Sequence, residues 1–168
     1  VACGDQNTAL ILRHLAPLSD DDCLKLKAFS HQFQVEWWVQ PKGLDSVAPL
    51  EAQGTSTDDS GLYYELPAFH LKMYFRPTDF TQVNPFINEV MVSKAVNLLG
   101  IAKTDRIIDW FCGLGNFTLP IATLAREVVG IEGSQSMVEL AQLNLSINSK
   151  AASLYPDRLC GVDFYSQN

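Results

Sequence analysis

The chain has 168 residues, of which 47% are apolar and 18% charged, the profile of a folded protein with a real core and not of a disordered or repetitive one. The net charge is -7, and the 12 Lys and Arg are spread along the chain, so it lacks the basic face of an autonomous nucleic-acid binder. The four cysteines, Cys3, Cys23, Cys112 and Cys160, never fall at C-x-x-C spacing, which argues against a metal centre, and their scatter suits a reducing cytoplasm.

In chain order, Ala9–His14 reads as a short buried strand. Ser19 is placed to cap a helix whose first turn holds Asp20, Asp21 and Asp22, where the helix dipole favours negative charge. That helix is expected to run to about His31. Val35–Gln40 reads as a strand ended by Pro41 and Gly43, and Pro41–Gly61 as a loop, least inclined to fold over Gln53–Gly61. Leu62–Leu66 and His70–Phe75 read as the two strands of a hairpin. Residues 1–78 form a small α+β unit on this reading.

The pattern changes at Pro77. Asn84-Pro85 starts a helix, and Phe86, Ile87, Val90, Met91, Ala95, Leu98 and Leu99 recur at helical period as its expected apolar stripe. Gly100 caps it. Then come a strand at Arg106–Phe111, a glycine-rich turn at Cys112–Asn116, and a helix from about Phe117 to Arg126. A strand at Val128–Ile131, a helix at Ser134–Asn148 with Met137, Val138, Ala141 and Leu145 on one face, and a strand at Gly161–Tyr165 complete the series. Strand and helix alternating at these spacings imply an α/β fold with a parallel sheet and right-handed crossovers. No apolar run approaches the ~20 residues of a membrane span, and no signal peptide is visible. The start at Val1 and the stop at Asn168 within a repeating pattern suggest a piece of a longer protein.

The chemistry concentrates in DWFCGLGNFT (109–118), followed by Glu132. In a doubly wound fold, ligands sit at the carboxyl ends of the strands. Gly113 and Gly115 occupy the first such turn, where glycine admits positive φ and close backbone approach. Glu132 follows Gly113 by 19 residues, at the tip of the next strand, where a carboxylate can accept both ribose hydroxyls of an adenosine. Two cofactor classes fit. A dinucleotide wants a third glycine where Thr118 stands. S-adenosylmethionine (SAM) has no phosphate and carries a positive sulfonium, which suits Asp109, Asn116 and Glu132, and this reading is favoured.

Each residue also has a plainer role. Asp109 either contacts the ligand or only orders the loop, and Phe111 either stacks on an adenine or belongs to the core. Cys112 has no His or Lys neighbour to lower its pKa and reads as a structural thiol. His14, His31 and His70 form no motif. Trp37 and Trp38 face opposite sides of their strand, so one is expected in the core.

RPTDFTQVN (76–84), DWFCGLGNFT (109–118) and VGIEG (129–133) closely resemble the RNA uracil-5 methyltransferases. The likeness reaches upstream to Ile11–His14 and Pro17–Ser19, and downstream to Phe164-Tyr165 and Asn168. It is greatest for the ribosomal branch, which acts on 23S rRNA, with the transfer-RNA branch next. The resemblance implies the first half of a Rossmann-like SAM-dependent methyltransferase domain over residues 79–168. It also implies SAM contacts at Gln82, Phe111, Asn116, Glu132 and Asn168. In the family a cysteine thiolate adds to C6 of the uracil, C5 takes the methyl group, and a carboxylate removes the C5 proton. The nucleophile sits in a later S-C-N-P motif and the base later still, so this chain alone is expected to be inactive. The iron–sulfur cysteines and basic RNA-binding domain typical of the ribosomal branch would likewise belong to a preceding part of the parent. An NAD-type oxidoreductase and a binding module without activity are the competing readings. The expected sheet order leaves Arg106–Phe111 without a neighbour on one side. That edge should therefore self-associate or be completed by further sequence.

Overall fold

A computed structural model gives the fold for residues 1–50, 61–151, 159 and 161–167. The chain packs as two units, one built from residues 1–64 and 74–81, the other from residues 65–73 and 82–168.

The first unit is organised on a four-stranded sheet in the order β1-β2-β3-β4 (β1, Ala2–Cys3; β2, Thr8–Arg13; β3, Val35–Gln40; β4, Ala48–Pro49). β2 and β3 run parallel, with Thr8 opposite Val35 and Arg13 opposite Gln40. Parallel neighbours need a crossover, and helix α1 (Asp20–Phe33) supplies it. Ser19 caps α1 through a reciprocal box: its hydroxyl accepts from the Asp22 N–H, and the Asp22 carboxylate accepts from the Ser19 N–H at 3.0 Å. Donation from the Ser19 hydroxyl at 2.6 Å, and then from the Ser19 N–H, holds the Asp22 carboxyl below its ordinary range. Trp38 is the buried member of its pair, while the Trp37 ring lies 5.7 Å from that of Phe29. The expected loop Pro41–Gly61 departs from expectation at Ala48–Pro49, which pairs antiparallel with β3 because Pro49 sits at a sheet edge that asks no donor of it. Residues 51–60 lie outside the described part.

The hairpin forms from β5 (Tyr63–Leu66) and β6 (Leu71–Tyr74), joined by a 3-10 turn at Pro67–Phe69 and by His70 in the left-handed conformation at φ 51°.

The second unit carries a parallel sheet in the order β7-β8-β9 (β7, Arg106–Trp110; β8, Glu127–Glu132; β9, Val162–Ser166). Helix α3 (Thr118–Ala122) packs on β8, and α4 (Gln135–Ala151) packs on β8 and β9. They bury the face that carries Val128 and Phe164. The other face holds Ile108, Trp110 and Tyr165, which are 54%, 55% and 56% exposed. Among the described residues β7 pairs only with β8. A parallel sheet is normally covered on both sides, so among the described residues this unit presents one open face and one open edge.

Helix α2 (Pro85–Leu99) begins at Asn84, whose side chain accepts from the Ile87 N–H, and ends at Gly100 with φ 58°. Its buried side corrects the expected stripe. Asn88, Val92 and Val96 are buried, whereas Phe86, Ile87, Val90, Leu98 and Leu99 are exposed. Apolar residues such as Phe86 and Val90 also lie away from the buried side, so periodicity alone could not identify the inward side. The buried Asn88 is tied inward by hydrogen bonds, which sets that side.

Candidate functional site

The site is assembled where β7 ends. Phe111 leaves the strand at φ 63°, a left-handed conformation that is an outlier for a bulky residue, and its side chain is 79% exposed. The Cys112 N–H donates to the Ile131 carbonyl at 3.1 Å, extending the parallel ladder by one step. Gly113 at φ 55° and Gly115 at φ 94° then turn the chain, closed by the Gly115 N–H on the Cys112 carbonyl at 3.0 Å. Among the described residues, a Cβ at Gly113 would meet no atom within 4 Å, so the space beside this glycine is open.

Glu132 closes the site from the tip of β8. One carboxylate oxygen accepts from the Gly113 N–H at 3.0 Å and the other from the Ser134 N–H at 3.0 Å. A carboxylate offers about four acceptor positions. Each oxygen therefore keeps capacity for a further donor, such as a sugar hydroxyl.

Asp109 points into the loop from β7. Thr118, fully buried, donates its hydroxyl to Asp109 at 2.6 Å. Burial pushes the Asp109 carboxyl up, with the Thr118 hydrogen bonds working in the opposite direction. Loop ordering is thus the contact that the structure gives this residue. Burial, together with Asp109 and Glu132 close by, pushes the Cys112 thiol up to about 12. Such a shift disfavours the thiolate, which is the nucleophilic form.

Asn116 and Asn88 form a reciprocal amide pair: Asn88 Nδ2 donates to Asn116 Oδ1 at 3.1 Å, and Asn116 Nδ2 to Asn88 Oδ1 at 2.9 Å. Asn144, fully buried on α4, donates to the Leu114 carbonyl at 3.2 Å. Gly130 lies beneath the loop, and a Cβ there would fall 2.6 Å from Phe164 and 2.9 Å from the Cys112 sulfur. Sequence reasoning missed Asn88, Asn144 and Gly130. The available signal was a polar side chain on the inward face of a helix: Asn144 lies three residues after Ala141, and Asn148 one turn further.

Of the residues singled out from sequence, Phe111, Asn116 and Glu132 all border the glycine turn. Gln82 is exposed, two residues before the cap of α2. Asn168 lies outside the described residues.

The arrangement suits a cation better than a pyrophosphate. Two carboxylates border the loop. The helix that follows it has five residues, too few for a strong dipole at its start. Thr118, at the third glycine position of a dinucleotide fingerprint, is committed to Asp109.

The family model described as tRNA (Uracil-5-)-methyltransferase matches residues 62–160. The 23S rRNA (uracil(1939)-C(5))-methyltransferase RlmD of Verminephrobacter eiseniae is 49% identical over 168 residues, covering 100% of this chain and 33% of its own length. Its counterpart from Paracidovorax citrulli is 56% identical over 148 residues, covering 88% and 29%. Among solved structures, the Pyrococcus abyssi tRNA (uracil-54, C5)-methyltransferase in complex with S-adenosyl-L-homocysteine matches with a TM-score of 0.61 at 18% identity. That match covers 95% of this chain and 35% of the other, and it shows a shared Rossmann-like α/β fold. The chain spans about a third of the length of these curated relatives.

Proposed function

Because the chain belongs to the tRNA (uracil-5-)-methyltransferase family, we propose that it is the cofactor-cradling part of an enzyme that methylates C5 of a uracil in 23S rRNA. The observation that carries this reading is the Glu132 carboxylate bonded to the Gly113 N–H beside a turn that opens onto free space. The ribosomal substrate is supported by the names of the relatives at 49% and 56% identity. A transfer-RNA substrate is the second reading, favoured by the description of the family model.

The cofactor on this reading is SAM, whose sulfonium supplies an electrophilic methyl group. Glu132 accepts the ribose hydroxyls, and Phe111 offers an exposed ring to the adenine. Asn116 hydrogen-bonds the cofactor from the loop, Gln82 reaches the cofactor and the target base from the start of α2, and Asn168 lies near the adenine. Residues 79–168 are then the first half of the methyltransferase domain and residues 1–78 the α+β segment before it. The C6 nucleophile and the C5 base belong to sequence after Asn168, in keeping with a Cys112 thiol that stays protonated. Any iron–sulfur cluster belongs to sequence before Val1. No described helix is long and apolar enough to cross a membrane, and the proposed compartment is the cytoplasm.

The open edge of β7 and the apolar face bearing Ile108 and Trp110 are covered in the same reading by the rest of the domain, or by a second copy when the 168-residue chain stands alone. Light scattering on that chain should then report self-association, and a stable monomer counts against it.

The test is titration of the full-length protein with SAM, S-adenosylhomocysteine and NAD, followed by transfer of labelled methyl to unmodified 23S rRNA. Binding of the first two, with turnover by the full-length protein and none by the 168-residue chain, is expected. A preference for NAD overturns the reading.

A further inference from the structure

We infer that Asn88 is a positioning residue for the cofactor, acting through Asn116 and tying the start of α2 to the glycine turn. The inference rests on the SAM reading above.

Asn88 is buried on α2, one turn beyond the Asn84 cap, to whose carbonyl its own N–H donates at 2.9 Å. An asparagine in that place leaves a polar group out of water, which is unfavourable unless it is hydrogen-bonded. Its carboxamide meets that of Asn116 edge to edge, one N–H···O bond running each way at 3.1 Å and 2.9 Å. Two bonds, one in each direction, restrict both the rotamer and the orientation of the Asn116 amide. A single bond would leave the amide free to swivel, and a freely turning amide must be ordered each time a ligand binds.

The loop is held from other sides as well. Asn144 on α4 fixes the Leu114 carbonyl, and Glu132 on β8 fixes the Gly113 N–H. Those two set backbone atoms. Asn88 sets the side chain that faces the cofactor on this reading. Its helix also begins three residues after Gln82, so the same pair couples the cofactor loop to the segment that carries the base-pocket residue.

A double-mutant cycle in the full-length protein tests this, read as S-adenosylhomocysteine affinity by calorimetry beside thermal unfolding without ligand. Asn88→Ala is expected to weaken binding about tenfold, and Asn116→Ala by at least as much. The double variant should bind no more weakly than Asn116→Ala alone, because Asn88 has nothing left to position. Asn88→Ser, a smaller disturbance of the same pair, repeats the cycle if Asn88→Ala does not fold. A residue that serves only the fold would lower the melting temperature without this non-additivity in binding. Losses that multiply in the double variant, or wild-type affinity in both Asn88 variants, overturn the inference. A wild-type protein that fails to bind S-adenosylhomocysteine overturns the SAM reading itself, and so the two failures are told apart.

Discussion

Glu132 and Gly113, 19 residues apart in sequence, meet at 3.0 Å through a carboxylate oxygen and a peptide N–H. The same carboxylate also holds the Ser134 N–H at the start of α4. In Glu132→Gln one acceptor oxygen becomes an NH2 group, which must face one of these two donors. The variant should lose about 1–3 kcal/mol of stability and bind S-adenosylhomocysteine at least tenfold more weakly. Urea unfolding and calorimetry check the two effects separately. Unchanged affinity in a folded variant removes Glu132 from the cofactor site.

Phe111 combines a left-handed backbone with a ring that lies largely in solvent. Such strain persists where surrounding structure enforces it and is concentrated at functional positions. Phe111→Gly relieves the backbone and forfeits little burial, so the folded state should gain on the order of 1 kcal/mol. Affinity for the cofactor should fall in the same variant, because the exposed ring is gone. Equal or tighter binding would show that the ring does not touch the adenosine.

With its thiol pushed up to about 12, Cys112 should resist iodoacetamide at pH 8 while the exposed Cys3 reacts. Mass spectrometry after timed labelling reads both sites. Methyl transfer by the full-length Cys112→Ala protein should persist, and complete loss in a folded, cofactor-binding variant would show that Cys112 is not merely structural.

Asp109 is held above its ordinary value of 3.8 by burial, against the pull of Thr118. Its protonated form is therefore favoured by folding. The resulting stability is full below the unfolded value and is lost as pH rises through the raised one. Asp109→Asn keeps an oxygen for the Thr118 hydroxyl and has no proton to lose. Its urea midpoint should fall less than that of the wild type as the pH is taken from 4 to 7. Parallel curves would mean that the carboxyl is not desolvated.

Much of this architecture is legible in the sequence alone. Ser19, Asn84 and Gly100 punctuate their helices through local bonds that the sequence states directly. The strands at Arg106, Val128 and Gly161 follow from short apolar runs spaced by helices. What could not be read depends on distant partners. Gly130 looks like any strand glycine until Phe164 and Cys112 are brought against it. Asn88 looks like a solvent-facing residue in an apolar helix until Asn116 arrives from 28 residues away. Periodicity reports that a helix has an apolar side, and α2 has more than one.

Asn148 on α4 presents its carboxamide to the backbone of β6, accepting from the Lys72 N–H at 2.9 Å and donating to the Lys72 carbonyl at 2.8 Å. A side-chain amide thereby imitates the peptide group of a missing neighbouring strand. A lone two-stranded ribbon is marginal in water, and β6 gains an extra rung from a helix 76 residues further along the chain. Protection of the Lys72 N–H from hydrogen exchange should therefore rise and fall with that of α4.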